Sequence, residues 1–190
     1  MRYITFIFTV MIFTNILNAQ NDQMNINEQM KIWMEYSTPG KVHIDFVKYA
    51  GDWKVVTKIW QAPDAEPVIS EGTANMKMLL GGRYIKTAYN ANYMGMPFEG
   101  IAVDAYDNFK KQYISIWMDN FGTGISIMYG KSDDDGKTVF YEGMMFDPMQ
   151  NKDVKVKSVV NYLNENEILM EMYGYYNDIE FKTMEMTYKR

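Results

Sequence analysis

The stretch Gly124-Ile125-Ser126-Ile127-Met128-Tyr129-Gly130-Lys131, then Ser132-Asp133-Asp134-Asp135-Gly136-Lys137, then Thr138-Val139-Phe140-Tyr141-Glu142-Gly143-Met144-Met145-Phe146 decides the fold. Two runs rich in β-branched and aromatic residues flank an Asp-Gly pair, whose residues accept the positive φ that a tight reversal needs. The segment reads as a β-hairpin. Its acidic tip is similar to the start of a calcium loop, but Lys137 stands where EF-hand spacing requires Asp or Asn, so it reads as a charged turn.

Working outward from this hairpin, the pattern repeats in both directions. Ten strand-like runs follow one another over 52–60, 67–79, 83–93, 97–106, 112–118, 124–131, 138–146, 154–163, 167–173 and 179–189. Turn chemistry separates them: Gly81-Gly82, Asp107-Asn108, Asn120 to Gly122, Asp135-Gly136 and Asn177-Asp178, with Pro63 and Pro67 in a looser connection. Successive strands joined by short loops imply an up-and-down meander. An open sheet of that width would leave two unpaired edges, so closure into a barrel is expected. A barrel of eight to ten strands is either filled by its own side chains or holds one small ligand.

The segment ahead of the strands is different. Asn27 reads as an N-cap with Glu28 in the first turn, and Met30, Trp33 and Met34 share one helical face, so 28–37 reads as a helix that Pro39-Gly40 ends. The run 41–50 fits a strand or a helical face equally well. At the very start, Met1-Arg2 precedes an apolar run of about 15 residues and then Leu17-Asn18-Ala19-Gln20. That is the layout of a secretory signal peptide cut after Ala19, and the run is shorter than the ~20 residues of a spanning helix. The expected organisation is therefore a signal peptide over 1–19 and one domain made of a helical segment over 20–50 and a barrel over 51–190. The mature chain is expected to be exported, periplasmic or secreted, without a membrane span.

Composition removes several classes of function. The chain carries a formal net charge of -5 and no basic cluster, which disfavours nucleic acid. With no cysteine, there is no disulfide framework, no thiolate metal site and no cysteine nucleophile. His43 is the one histidine. It lies outside the expected barrel, which argues against a Ser-His-Asp triad and rules out a multi-histidine zinc site. No metal or cofactor is expected.

Of the 18 methionines, Met1 and Met11 fall in the leader. Eight of the rest form Met-x-Met pairs: Met76/Met78, Met94/Met96, Met170/Met172 and Met184/Met186. On a strand such pairs point to the same face. They suit an adaptable core, a cavity that moulds to apolar ligands, or, least, Cu(I) ligation by thioethers. Glu71, Glu99, Glu142, Glu171 and Glu185 fall in strand runs, as do Arg83 and Asp119. Inside a barrel such carboxylates need partners, and Arg83 is the natural one, able to hold a carboxylate or the anionic head of a ligand. On the outside they are simply solvated. Many runs are apolar on both faces, so alternation does not decide between the two, and an error of one residue reverses every side chain in a strand. Arg83, Trp117, Glu142, Glu171, Tyr173 and Glu185 are the candidate ligand-binding residues. No catalytic residue is singled out.

The order of several motifs resembles the bacterial family called domain of unknown function 1579. These are Gly51-Asp52-Trp53, Trp60-Gln61-Ala62-Pro63, Glu71-Gly72-Thr73, Gly81-Gly82-Arg83-Tyr84, Met94-Gly95-Met96-Pro97-Phe98-Glu99-Gly100, Trp117-Met118-Asp119-Asn120 and Met184-Glu185-Met186-Thr187-Tyr188-Lys189-Arg190. The resemblance spans nearly all of the mature chain and implies a lipocalin-like barrel with one or two short N-terminal helices. It also favours a helix over 41–50, because Pro39-Gly40 and His43 match the family pattern there. It brings no activity and no established site residues. The segment 175–179 lacks the glycine the family tends to place there, which leaves the register of the last two strands open.

Three functions remain at this point. The first is a small apolar or amphipathic ligand bound in the barrel. The second is a non-catalytic protein-interaction module with a filled barrel and an apolar outer face. The third is an enzyme that uses carboxylates and tyrosines without histidine.

Overall fold

The computed structural model describes residues 25–132, 135–176 and 179–190. The expected leader, the Asp133-Asp134 tip and the Asn177-Asp178 turn lie outside the described residues. Two helices, α1 (Ile26–Ser37) and α2 (Lys41–Val47), precede ten strands. These are β1 (Gly51–Ile59), β2 (Val68–Leu79), β3 (Tyr84–Tyr93), β4 (Met96–Asp107), β5 (Gln112–Asp119), β6 (Ser126–Lys131), β7 (Thr138–Asp147), β8 (Lys152–Asn164), β9 (Glu167–Tyr176) and β10 (Ile179–Lys189). Each strand pairs antiparallel with its neighbours in sequence, and β1 pairs with β10, so the meander closes into a ten-stranded barrel as expected.

Alternation along β1 fixes inside and outside. Trp53, Val55 and Thr57 are buried while Asp52, Lys54 and Val56 are exposed. Residues directly paired across a ladder share a face, so the assignment carries around the barrel. Thr57 pairs with Met186, Met186 with Met170 and Met170 with Val160. In the other direction Trp53 pairs with Ala74, Ala74 with Tyr89 and Tyr89 with Gly100. The ladder between β9 and β10 slips at Thr183, between Lys182 and Met184. The bulge frees the Thr183 carbonyl to accept from the Trp60 amide at 2.9 Å. This settles the register that the sequence left open.

α1 is capped by Asn25, two residues before the expected cap. The Asn25 side chain accepts from the Glu28 amide at 3.0 Å, and the Glu28 carboxylate accepts from the Asn25 amide at 3.2 Å. This reciprocal pair satisfies two otherwise orphaned donors and outcompetes Asn27 as the start. α1 buries no residue. It touches the barrel end through the Tyr36–Phe109 ring contact and through Arg83 and Asn108, which donate to the Ser37 and Thr38 carbonyls. Among the described residues, no helix is long and apolar enough to cross a membrane.

α2 resolves the ambiguous run as a helix. Its turn brings His43 and Phe46 to one buried side, which a strand would have split. His43 Nδ1 accepts from the Gly40 amide at 3.0 Å and so caps its own helix. Phe46 packs edge-on to Tyr113, and Tyr49 lies 4.6 Å from Tyr162, ring centre to ring centre. The Tyr49 carbonyl accepts from the Trp53 indole at 2.9 Å. Arg190 stacks over the Trp53 ring and donates to the Lys48 and Ala50 carbonyls. α2 therefore stoppers the barrel end that carries the β2–β3, β4–β5, β6–β7 and β8–β9 turns. Trp53, Val55 and Val139 are almost wholly buried near this end, each contributing roughly 1.5–3 kcal/mol of apolar burial.

Candidate functional site: the barrel lumen

α2 lies across one end of the barrel, where His43 and Phe46 meet Tyr106 and Tyr113. Several residues whose register points them inward keep accessible surface. Ala102, Asp104, Ser115, Trp117, Met170 and Met184 are all only partly buried.

Methionine dominates one side of the wall. The Met76/Met78, Met170/Met172 and Met184/Met186 pairs all sit on the inward register of β2, β9 and β10. Met94 lies in the β3–β4 turn and Met96 opens β4 opposite Tyr93, and both are exposed. Unbranched thioethers give this side of the wall a soft, adaptable surface. Aromatic rings gather at the mouth: Phe98 stacks on Trp117 and meets Phe121 edge-on, and Phe121 meets Tyr93. Glycines make room for the large rings. A Cβ on Gly100 would stand 2.3 Å from the Trp117 ring, and one on Gly130 would stand 2.6 Å from Tyr141.

One acid lies deep in this wall. Asp104 pairs with Ser115 across the β4–β5 ladder and with Ile85 across the β3–β4 ladder, all facing inward. Burial pushes its carboxyl up to about 6, opposed only by a hydrogen bond from the Ser115 side chain. The phenols of Tyr141, Tyr162 and Tyr188 feel its charge, and burial holds each of them above the ordinary tyrosine range. Elsewhere in the wall, Thr57 and Tyr89 share a hydrogen bond of 3.0 Å. Sequence reasoning passed over Asp104. The available signal was an acid in the middle of the apolar run Ile101-Ala102-Val103-Asp104-Ala105-Tyr106.

The structure separates the six candidate residues. Trp117 faces the lumen, and its indole donates to Asp119 at 2.7 Å. The other five do not join it. Arg83 lies in the β2–β3 turn and donates to the Leu80 and Ser37 carbonyls outside the barrel. Glu142 is on the outer register of β7 and pairs with Lys155 at 3.1 Å. Glu171, Tyr173 and Glu185 are on the outer register of β9 and β10. Lys182 bridges Glu171 and Glu185, and Lys58 bonds Glu185 at 2.9 Å. These carboxylates find lysines across neighbouring strands, so Arg83 is not their partner and does not line the lumen. Among the described residues, no group of three or more His, Cys, Asp or Glu side chains could hold a metal ion.

The architecture defines a class: a closed, up-and-down, ten-stranded β-barrel with a short helix across one end. The family model described as "Protein of unknown function (DUF1579)" matches residues 38–190, and the chain belongs to that family. Among solved structures, the crystal structure of Rv2717c from M. tuberculosis is similar at 10% identity and a TM-score of 0.59, covering 80% of this chain and 99% of that one. At that identity the likeness is one of fold alone. A redesigned β-barrel also aligns, at 12% identity and a TM-score of 0.39, over 76% of this chain and 93% of its own. No curated relative matches the chain.

Proposed function

We propose that this chain is an exported binding protein that holds a small apolar or amphipathic molecule in its barrel. The observation that carries the reading is the accessible surface kept by inward-facing Ala102, Asp104, Ser115, Trp117, Met170 and Met184. Pockets for such ligands are mostly apolar, with few and specific polar groups. A wall of methionine and aromatic rings containing one deep carboxyl fits that description. Entry is through the end opposite α2, past Phe98, Trp117 and Phe121.

Native mass spectrometry of the protein taken from its own exported fraction tests this reading. A bound small molecule of defined mass is the expected result. A chain carrying only its own mass, with no thermal shift on a panel of lipids and apolar metabolites, would overturn it.

A further inference from the structure

The inside of the barrel is electrostatically one-sided. Among the described residues, three strand carboxylates fall on the inward register: Asp104 deep in the wall, and Asp119 and Asp147 at the mouth. The strand lysines lie on the outer register apart from Lys152, which is exposed at the lip beside Asp147. The β1–β2 loop at the same end adds Asp64 and Glu66 and contributes no base. Asp119 is held by the Trp117 indole, and Asp147 accepts from the Met149 and Gln150 amides. Asp104 has Ser115 and no cation.

A carboxylate enclosed by protein without a counter-charge is costly to keep. Its register turns it into the barrel interior, where the proposed ligand would lie. The rings around it offer faces that attract cations, and the acidic mouth raises the local concentration of positively charged solutes. Resting on the lumen reading above, we propose that Asp104 and Ser115 form a head-group site for a protonated amine. The lumen then takes an amphipathic cation, with its ammonium on Asp104 and its apolar tail along Met170 and Met184.

The groups facing Asp104 do not share its titration. Tyr141, Tyr162 and Tyr188 stay neutral through pH 8, because burial raises them all. Tyr113, which packs against the α2 side, is raised to about 12. His43 in α2 faces Tyr106, and burial lowers its pKa, so it is neutral at pH 7 and above.

The test is calorimetric titration of the full chain with octylammonium, 1-octanol and octanoate at pH 8, repeated with Asp104→Asn and Ser115→Ala. The wild type is expected to bind octylammonium at least about tenfold more tightly than octanol, as a hydrogen bond to a charged group warrants. Asp104→Asn should bind the two equally, and Ser115→Ala should narrow the gap. At pH 4.5, where Asp104 is protonated and octylammonium still charged, the wild-type preference should vanish. Octanol binding as tight as octylammonium, or octanoate binding tightest, would overturn the head-group site and leave the lumen reading standing. So would a preference that survives Asp104→Asn. Binding of none of the three would overturn both.

Discussion

Trp117 packs against Gly100 on the adjacent strand β4, so close that a Cβ there would stand 2.3 Å from two atoms of the indole. The glycine is thus half of the Trp117 site. Gly100→Ala should displace the indole from Asp119 and from the ring of Phe98. An expected loss of roughly 1–3 kcal/mol follows from forcing extra volume into a packed wall. Urea unfolding reads the loss, and near-ultraviolet circular dichroism reads the tryptophan movement.

Thr57 and Tyr89 hydrogen-bond each other at 3.0 Å on the inner side of the barrel, both buried. Tyr89→Phe alone leaves the Thr57 hydroxyl without its partner, and Thr57→Val alone strands the phenol. Each should cost about 1–2 kcal/mol, while the double substitution should cost clearly less than their sum. A double-mutant cycle in urea measures the coupling.

Asp104 ties stability to pH. Its carboxyl titrates at about 6 in the folded chain against an ordinary 3.8. The folded state therefore holds this proton more tightly. The resulting stabilisation is complete below pH 3.8 and is lost as pH rises through about 6. Its ceiling is ~3 kcal/mol at one pKa unit per 1.36 kcal/mol. Asp104→Asn should remove this slope and leave the variant more stable than wild type at pH 7.5, as thermal melts across pH 4–8 will show. His43 acts in the opposite sense. Burial depresses its pKa, so its contribution is present above pH 6.5 and is lost as pH falls through the folded-state value. The Asp104→Asn comparison isolates one slope from the other, because His43 is common to both proteins.

The lysine–glutamate network over β1, β9 and β10 lies on the outer face. Glu171→Gln and Glu185→Gln should each cost less than about 1 kcal/mol, as partly exposed ion pairs do. Neither should change the affinity of any lumen ligand by more than about twofold. Calorimetric titration of the same ligands checks this. Arg83→Ala should likewise leave ligand affinity unchanged while freeing the end of α1, which limited proteolysis near Ser37 reports.

The ten strands were legible because their boundaries carry turn residues with a physical reason to be there. Observed ends differ from the sequence reading by three residues or fewer, as with 154–163 against Lys152–Asn164. The helix over 41–47 needed the family resemblance, since Val42, Ile44 and Phe46 satisfy both periods. Facing was the part that did not read through. In Val139-Phe140-Tyr141, the outer Phe140 is as apolar as its inward neighbours, so composition alone cannot say which side is the core. Glu142, Glu171 and Glu185 share the ambiguity, because the register of the strands is what places Lys155, Lys182 and Lys58 beside them on the outer face. Asp104 differs because no lysine is paired beside it, and that is visible only once the ladders are known.

The pairing of Lys54 through Ile59 with Lys189 through Met184 closes the barrel. Every other ladder joins neighbours in the chain, so this seam alone has to bring together segments from opposite ends of the domain. Loop entropy makes such a contact the slowest to form, and topologies rich in distant pairings fold in milliseconds to seconds. Until the seam zips, β1 and β10 are unpaired edges, and the methionine wall of β10 is open to solvent. The half-built sheet is therefore the state most exposed to aggregation, and any ligand that grips both sides of the seam would act as a template for its closure.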